Sequence, residues 1–143
     1  MSTSDLAKVI DLAHEGLDAF MRGDSGPVLQ LFSQRPDVTL ANPFGPPARG
    51  WDEVFATAER AATHYREGEA VGFDRISAYE SPELGYIVEI ERLKARVGGA
   101  AELTPLSLRV TTIFRREEGD WKICHRHADP ITTTRGADSV IGT

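Results

Sequence analysis

Along residues 6–21 the apolar positions Leu6, Val9, Ile10, Ala13, Leu17, Phe20 and Met21 recur three and four apart, the spacing of one face of an α-helix. Gly23 follows as a C-terminal cap. Asp24 or Ser25 can cap a second, shorter helix through Pro27, Val28, Leu29, Leu31 and Phe32, with the proline in the first turn, where its missing N–H is tolerated. Arg35-Pro36-Asp37 breaks that helix, and the alternation of Val38 and Leu40 predicts a short strand over 37–41. After the stiff loop Asn42-Pro43-Phe44-Gly45-Pro46-Pro47, the positions of Trp51, Val54, Phe55, Ala58, Ala61, Ala62 and Tyr65 describe a third helix ending near Gly68.

From Ala70 the period changes to two. Strands are predicted over 70–79, 84–97, 103–116 and 121–131, separated by Glu80-Ser81-Pro82-Glu83, Gly98-Gly99 and Glu117-Glu118-Gly119-Asp120. Runs adjacent in sequence pair most simply as an antiparallel meander. The order helix, helix, strand, helix, four-strand meander is that of an α+β fold whose helices cover one face of the sheet. Leu108, Val110, Ile113 and Phe114 place apolar side chains on both parities of one strand, too many for a face left in water. The expectation is a homodimer through the open sheet face. Residues 1–131 form a single domain on this reading, and 132–143, rich in Gly, Ser and Thr, a flexible tail.

Composition narrows the function classes. A chain of 143 residues, 41% hydrophobic and 27% charged, is that of one globular domain. Its net charge of −6 lacks the cationic field that nucleic acid requires. A single cysteine, Cys124, forms no intramolecular disulfide and cannot supply a cysteine-based zinc or iron–sulfur centre, which suits a cytoplasmic location. The first fifteen residues intersperse Asp5, Lys8, Asp11 and Glu15 among apolar ones, so neither a signal peptide nor a membrane span is expected. Gly98-Gly99 lies between strands, not at a strand-to-helix turn, and no Gly-x-Ser-x-Gly elbow occurs, so neither a nucleotide cofactor nor a serine nucleophile is indicated.

The polar residues with chemical potential cluster late. Unbroken alternation puts Trp121, Ile123, His125, His127 and Asp129 on one face, with His125 and His127 ~7 Å apart. They read either as an acid/base pair oriented by Asp129 or as structural histidines at a strand end or interface. A His-x-His metal site is a weaker third reading, and no metal is expected. Arg109 shares a parity with Thr111, and Glu89 with Glu91, so a buried Glu91–Arg109 pair is expected. In the functional version Arg109 binds a ligand carboxylate or enolate while Glu91 or His127 moves a proton; in the other the pair is a structural ion pair. Arg92, Arg96, Arg115, Arg116 and Arg126 read as solvated, and His14, next to Ala13, either lines the inner helix or is partly exposed. Trp51, Phe55 and Tyr65 on the third helix, with Phe20, provide either a pocket wall or core packing, and Asn42 a ligand hydrogen bond at the proline-rich loop. Cys124 reads as a packing residue.

Three stretches carry a family resemblance: Phe20-Met21-Arg22-Gly23-Asp24; Asn42-Pro43-Phe44-Gly45 with Arg49-Gly50; and Leu108-Arg109-Val110-Thr111 continuing to Trp121-Lys122-Ile123-Cys124-His125-Arg126-His127. With the element order they resemble the SnoaL-like, ketosteroid-isomerase-like branch of the nuclear-transport-factor-2-like superfamily. The resemblance implies a cone-shaped fold in which a curved sheet wraps a long helix around a pocket, and dimers are common there. Members include isomerases, dehydratases, epoxide hydrolases, cyclases and non-catalytic association domains, so the site has to decide. Asn42 stands where the steroid isomerase carries its general base, and an amide cannot shuttle a proton. Gly16 and Thr111 fall near the positions of that enzyme's oxyanion-hole tyrosine and aspartic acid, so its mechanism is not expected. The sequence therefore points to a pocket protein for a small apolar organic molecule, working without a cofactor. One version is an isomerase, cyclase or (de)hydratase using His127, Glu91 and Arg109, with Asn42, Trp51, Phe55, Tyr65, His125 and Thr111 around the substrate. The other is a non-catalytic homodimeric ligand-binding or association module.

Overall fold

A computed structural model describes residues 4–142. Helix α1, Asp5–Phe20, begins where Ser4 Oγ accepts the Ala7 N–H, and it buries Leu6, Ile10, Gly16 and Leu17. Gly23, at φ +92°, turns the chain after it into the single-turn helix α2, Gly26–Leu29, with a proline in its first turn. The close α1–α2 packing depends on Gly16, where a Cβ would stand 2.9 Å from Val28 Cγ2. Strands β1, Thr39–Ala41, and β2, Ala48–Arg49, bracket the proline-rich loop and lead into α3, Trp51–Ala62. The long strands follow: β3 Tyr65–Glu80, β4 Leu84–Val97, β5 Thr104–Glu117 and β6 Asp120–Asp129.

The fold is α+β, with six strands in the order β2-β1-β6-β5-β4-β3. All pairs are antiparallel except β1 with β6, so the first short strand extends the meander in parallel. The helices lie against one face of this curved sheet. One core cluster packs Leu6, Ile10, Phe32, Val54, Phe114 and Trp121; a second packs Leu17, Met21, Tyr65, Leu93, Leu108 and Ala128. Residues 130–142 run over the surface with every residue exposed and one 3-10 turn at Ala137–Val140. No helix among the described residues is long and apolar enough to cross a membrane.

Two expectations need correction. Helix three stops at Ala62, where Thr63 Oγ1 donates to the Arg60 carbonyl at 2.6 Å, and Tyr65 opens β3. The irregular register of β3 hides its start: Glu67 has φ 55°, and a Cβ on Gly68 would collide with the Lys94 carbonyl. Strict alternation therefore begins only after the strand has started. The second correction lies in β6. Phe114 pairs with Ile123 but Ile113 pairs with His125, so Cys124 is an extra, bulged residue. Trp121 and Ile123 point into the core before the bulge; Ala128 and Arg126 do so after it, and His125 and His127 face outward.

Candidate functional site

Between α1, α3, the proline-rich loop and the concave side of the sheet lies a cavity of about 50 Å³. Its walls are apolar, including Leu17, Phe20, Leu93, Leu108 and Ala128, and its polar lining comes from Tyr65, Asn42 and Arg126. Arg126 reaches this space because the bulge turns it inward. Its Nη1 and Nη2 donate to Glu91 Oε2 and Oε1 at 2.9 and 2.8 Å, a bidentate fork across the intervening strand β5. Glu91 is 3% exposed and Arg126 16%. Burial works against the guanidinium charge, but the charge and hydrogen bonds of Glu91 outweigh it and hold Arg126 above the ordinary arginine value. Tyr65, itself buried, is raised above the ordinary tyrosine value chiefly by that burial, so it presents a phenol, a hydrogen-bond donor, at neutral pH. Asn42 closes the turn with its own side chain, Oδ1 accepting the Phe44 N–H at 2.9 Å.

Behind Arg126 is a smaller chamber of about 20 Å³, lined by His14, Glu89, Glu91, Thr112 and Arg126 among others. His14 Nε2 lies 2.7 Å from Glu89 Oε1, and Arg75 Nε donates to Glu89 Oε2 at 2.7 Å. Burial opposes the Glu89 charge; the bonds from His14 and Arg75 prevail and lower its pKa. The His14 ring stacks on Phe73, with centroids 3.7 Å apart, which fixes its orientation. A histidine held by a buried carboxylate can keep or pass a proton.

A second charged group occupies the opposite face. Arg109 donates to Asp129 through Nε and Nη2, the shortest contact 2.7 Å, and His127 Nε2 lies 2.8 Å from Asp129 Oδ2. Burial raises Asp129, yet these bonds and the Ile131 N–H bring it down to about 2. His125 shares a 2.8 Å hydrogen bond with Thr39 and is lowered by burial and by His127. Thr111 stands beside His127 in register.

The structure thus divides the residues singled out from sequence. Glu91, Asn42 and Tyr65 meet at or beside the cavity, with Tyr65 coming from β3 and not from the third helix. Arg109, His127, His125 and Thr111 lie on the outer face. The expected Glu91–Arg109 pair does not form, because Glu91 sits opposite Leu108 on the inward parity and Arg109 points the other way. Trp51 and Phe55 contact each other edge-on, with ring centroids 5.5 Å apart, and neither lines the cavity. Phe55 is exposed. Arg126, expected in solvent, and Glu89 are interior polar groups that sequence reasoning missed, and His14, read as lining the inner helix or partly exposed, is half-buried against Glu89. Signals existed for two of them. Apolar positions shift from Trp121 and Ile123 to Ala128, odd to even, which marks a bulge; His14 lies four residues after Ile10 and three before Leu17, on the buried face of α1. No cluster of three or more metal-ligating side chains occurs among the described residues.

A family model described as a SnoaL-like domain matches residues 9–132. Among solved structures, a ketosteroid isomerase-like protein from Erwinia carotovora aligns with a TM-score of 0.70 and 19% identity over 92% of this chain and 100% of its own. A putative dehydratase of the NTF2-like family from Streptomyces avermitilis aligns at 0.72 and 17% identity, covering 90% and 95%. A putative calcium/calmodulin-dependent protein kinase type II association domain from Thiobacillus denitrificans aligns at 0.68 and 17% identity, covering 87% and 93%. At these identities the likeness is one of fold. No curated protein matches the sequence.

Proposed function

The chain belongs to the SnoaL-like domain family, and from that premise we propose that it is a cytoplasmic pocket protein for a small apolar organic molecule, held by a carbonyl, enolate or carboxylate oxygen. The observation that carries the reading is Arg126: a forked cation set by Glu91 at the edge of an otherwise apolar cavity, beside a phenol. Arg126 and Tyr65 donate to the ligand oxygen, where the low surrounding polarity strengthens each bond. Asn42 orients the ligand at the loop end. Glu91 acts through Arg126 as a positioning residue. Where chemistry follows, it is proton transfer, an isomerisation, cyclisation or (de)hydration without a cofactor, with the His14–Glu89 pair as the group that holds or moves the proton.

Thermal melting with a panel of small ketones and carboxylates tests this reading. A ligand should raise the wild-type Tm by several degrees at saturation, because it binds only the folded state. Tyr65→Phe removes the hydroxyl and keeps the ring, and it should weaken that rise. A panel without effect on wild type would overturn the proposal.

One observation favours a second reading, a homodimeric association module. The outer sheet face carries the partly buried Val88, Ile90 and Ile113 and the stacked, exposed Tyr79 and Tyr86, with centroids 5.8 Å apart. One structural neighbour is described as an association domain. Analytical centrifugation at micromolar concentration decides it: a dimer supports this reading and a monomer removes it.

A further inference from the structure

We propose that Phe44 is the gate of the cavity and sets the length of ligand it accepts; the inference rests on the pocket reading above. The cavity of about 50 Å³ is too small for an organic substrate as it stands, since an apolar cavity of roughly 150 Å³ is what holds a benzene ring. A larger space adjoins it. Between the proline-rich loop and α3 runs a groove of about 280 Å³, open to solvent and bordered by Pro46, Pro47, Arg60 and His64.

Three residues line both spaces: Asn42, Phe44 and Ala61. Ala61 is a buried methyl on α3, and Asn42 is tied into its turn by the bond to the Phe44 N–H. Only Phe44 has a side chain large enough to divide the two. It is 45% exposed and lines both the cavity and the groove, so its ring stands at the boundary between them. On the groove side the ring stacks on His64, centroids 4.2 Å apart, and on the inner side it meets Tyr65 at 5.9 Å.

The backbone beneath it is stiff. Pro43, Pro46 and Pro47 fix their φ angles, and the Asn42 turn holds the Phe44 amide. Opening is therefore a rotation of the Phe44 side chain, the motion that half-exposed residues make readily, and not a movement of the loop. With the ring turned away from Tyr65, cavity and groove join into one channel from Arg126 to Arg60. The ligand class that fits is an elongated molecule with its acceptor oxygen at Arg126, an apolar body in the cavity and its far end in the more polar groove between α3 and the prolines, beside Arg60 and His64.

Straight-chain carboxylates, acetate, butanoate, hexanoate and octanoate, are the probes, with affinity by calorimetry and association rate by stopped flow. Phe44→Ala should associate at least tenfold faster than wild type and extend the accepted length toward octanoate. His64→Ala removes the stack but keeps the ring, so it should speed association without changing the length profile. Phe44→Leu, which retains apolar volume, should fall between and guards against a folding defect in the alanine variant, whose Tm is measured alongside. Equal rates and equal length profiles in wild type and all three variants would overturn the gate and leave the pocket standing. Failure of every carboxylate to bind any folded variant would overturn both.

Discussion

The two faces of the sheet carry the same kinds of side chain under different physical conditions. Inside, Glu91 grips Arg126 and Glu89 grips His14 and Arg75, with both carboxylates almost fully removed from solvent. Outside, Asp129 holds Arg109 and His127, whose side chains are about half exposed. Solvent and salt screen the outer group, so its bonds can break and reform at little cost. The carboxylates of the inner pairs are desolvated, with Arg75 alone among their partners reaching well into solvent, and a buried charge there tolerates poorly the loss of its partner. Interior charge in an apolar setting is also the arrangement that gives a ligand oxygen a strong hydrogen bond, so the contrast sets the Arg126 group, which can serve the proposed pocket, apart from the Asp129 group, whose bonds water competes for.

The largest effect that can test the contrast is the loss of Glu91. Glu91→Ala leaves the Arg126 cation buried without its counter-charge, and the expected destabilisation is about 3–5 kcal/mol by urea unfolding. Replacing both partners by apolar residues, Glu91→Leu with Arg126→Met, should restore most of it, since the pair as a whole is not a large source of stability. A Glu91→Ala protein as stable as wild type would mean that water reaches Arg126 freely and that the inner face resembles the outer one.

Glu89 sharpens the comparison through pH. Glu89→Gln keeps the shape but removes the charge that His14 and Arg75 bond, a loss of about 1.5–3 kcal/mol near neutrality. The folded-state pKa of Glu89 lies below the ordinary glutamate value of 4.5. Its contribution is therefore complete above pH about 4.5 and is lost as pH falls through the lower, folded value. Unfolding free energies of wild type and Glu89→Gln should differ by a constant amount above that pH and converge below it. A gap that widens on acidification would refute the assignment.

How much of this was legible beforehand depended on where the periodicity stayed regular. Helix α1 and strand β4 follow uninterrupted spacings, and both were readable to within about a residue. Strand β2 has only two residues, too few to show any period. Tyr65 continues the helical spacing of α3 across a boundary set by the Thr63 cap, so spacing alone places it on the helix although it opens β3 and lines the cavity. The site suffered most from one inserted residue. Cys124 shifts the phase of β6, and every assignment after it inverted: the histidines went outward and Arg126 came inward. Long-range pairs such as Glu91 with Arg126 span a strand between them, a distance no local pattern encodes.

The smallest expected effect completes the comparison from the outer side. Arg109→Ala and His127→Ala each remove one partner of Asp129 and leave the other, together with the Ile131 N–H, in place. Asp129 is itself only 16% exposed, but after either change it keeps its other side-chain partner and the Ile131 N–H, so neither variant strands it unpaired. The urea midpoint of each variant should match wild type within scatter, and any ligand response of the cavity should persist, because neither side chain lines it. If His127→Ala abolished that response in a folded protein, the outer cluster would be coupled to the cavity through β6, and the division between the two faces would fail. If it instead shifted a dimer toward monomer with the response intact, the outer face would be an association surface and the separation of roles would stand.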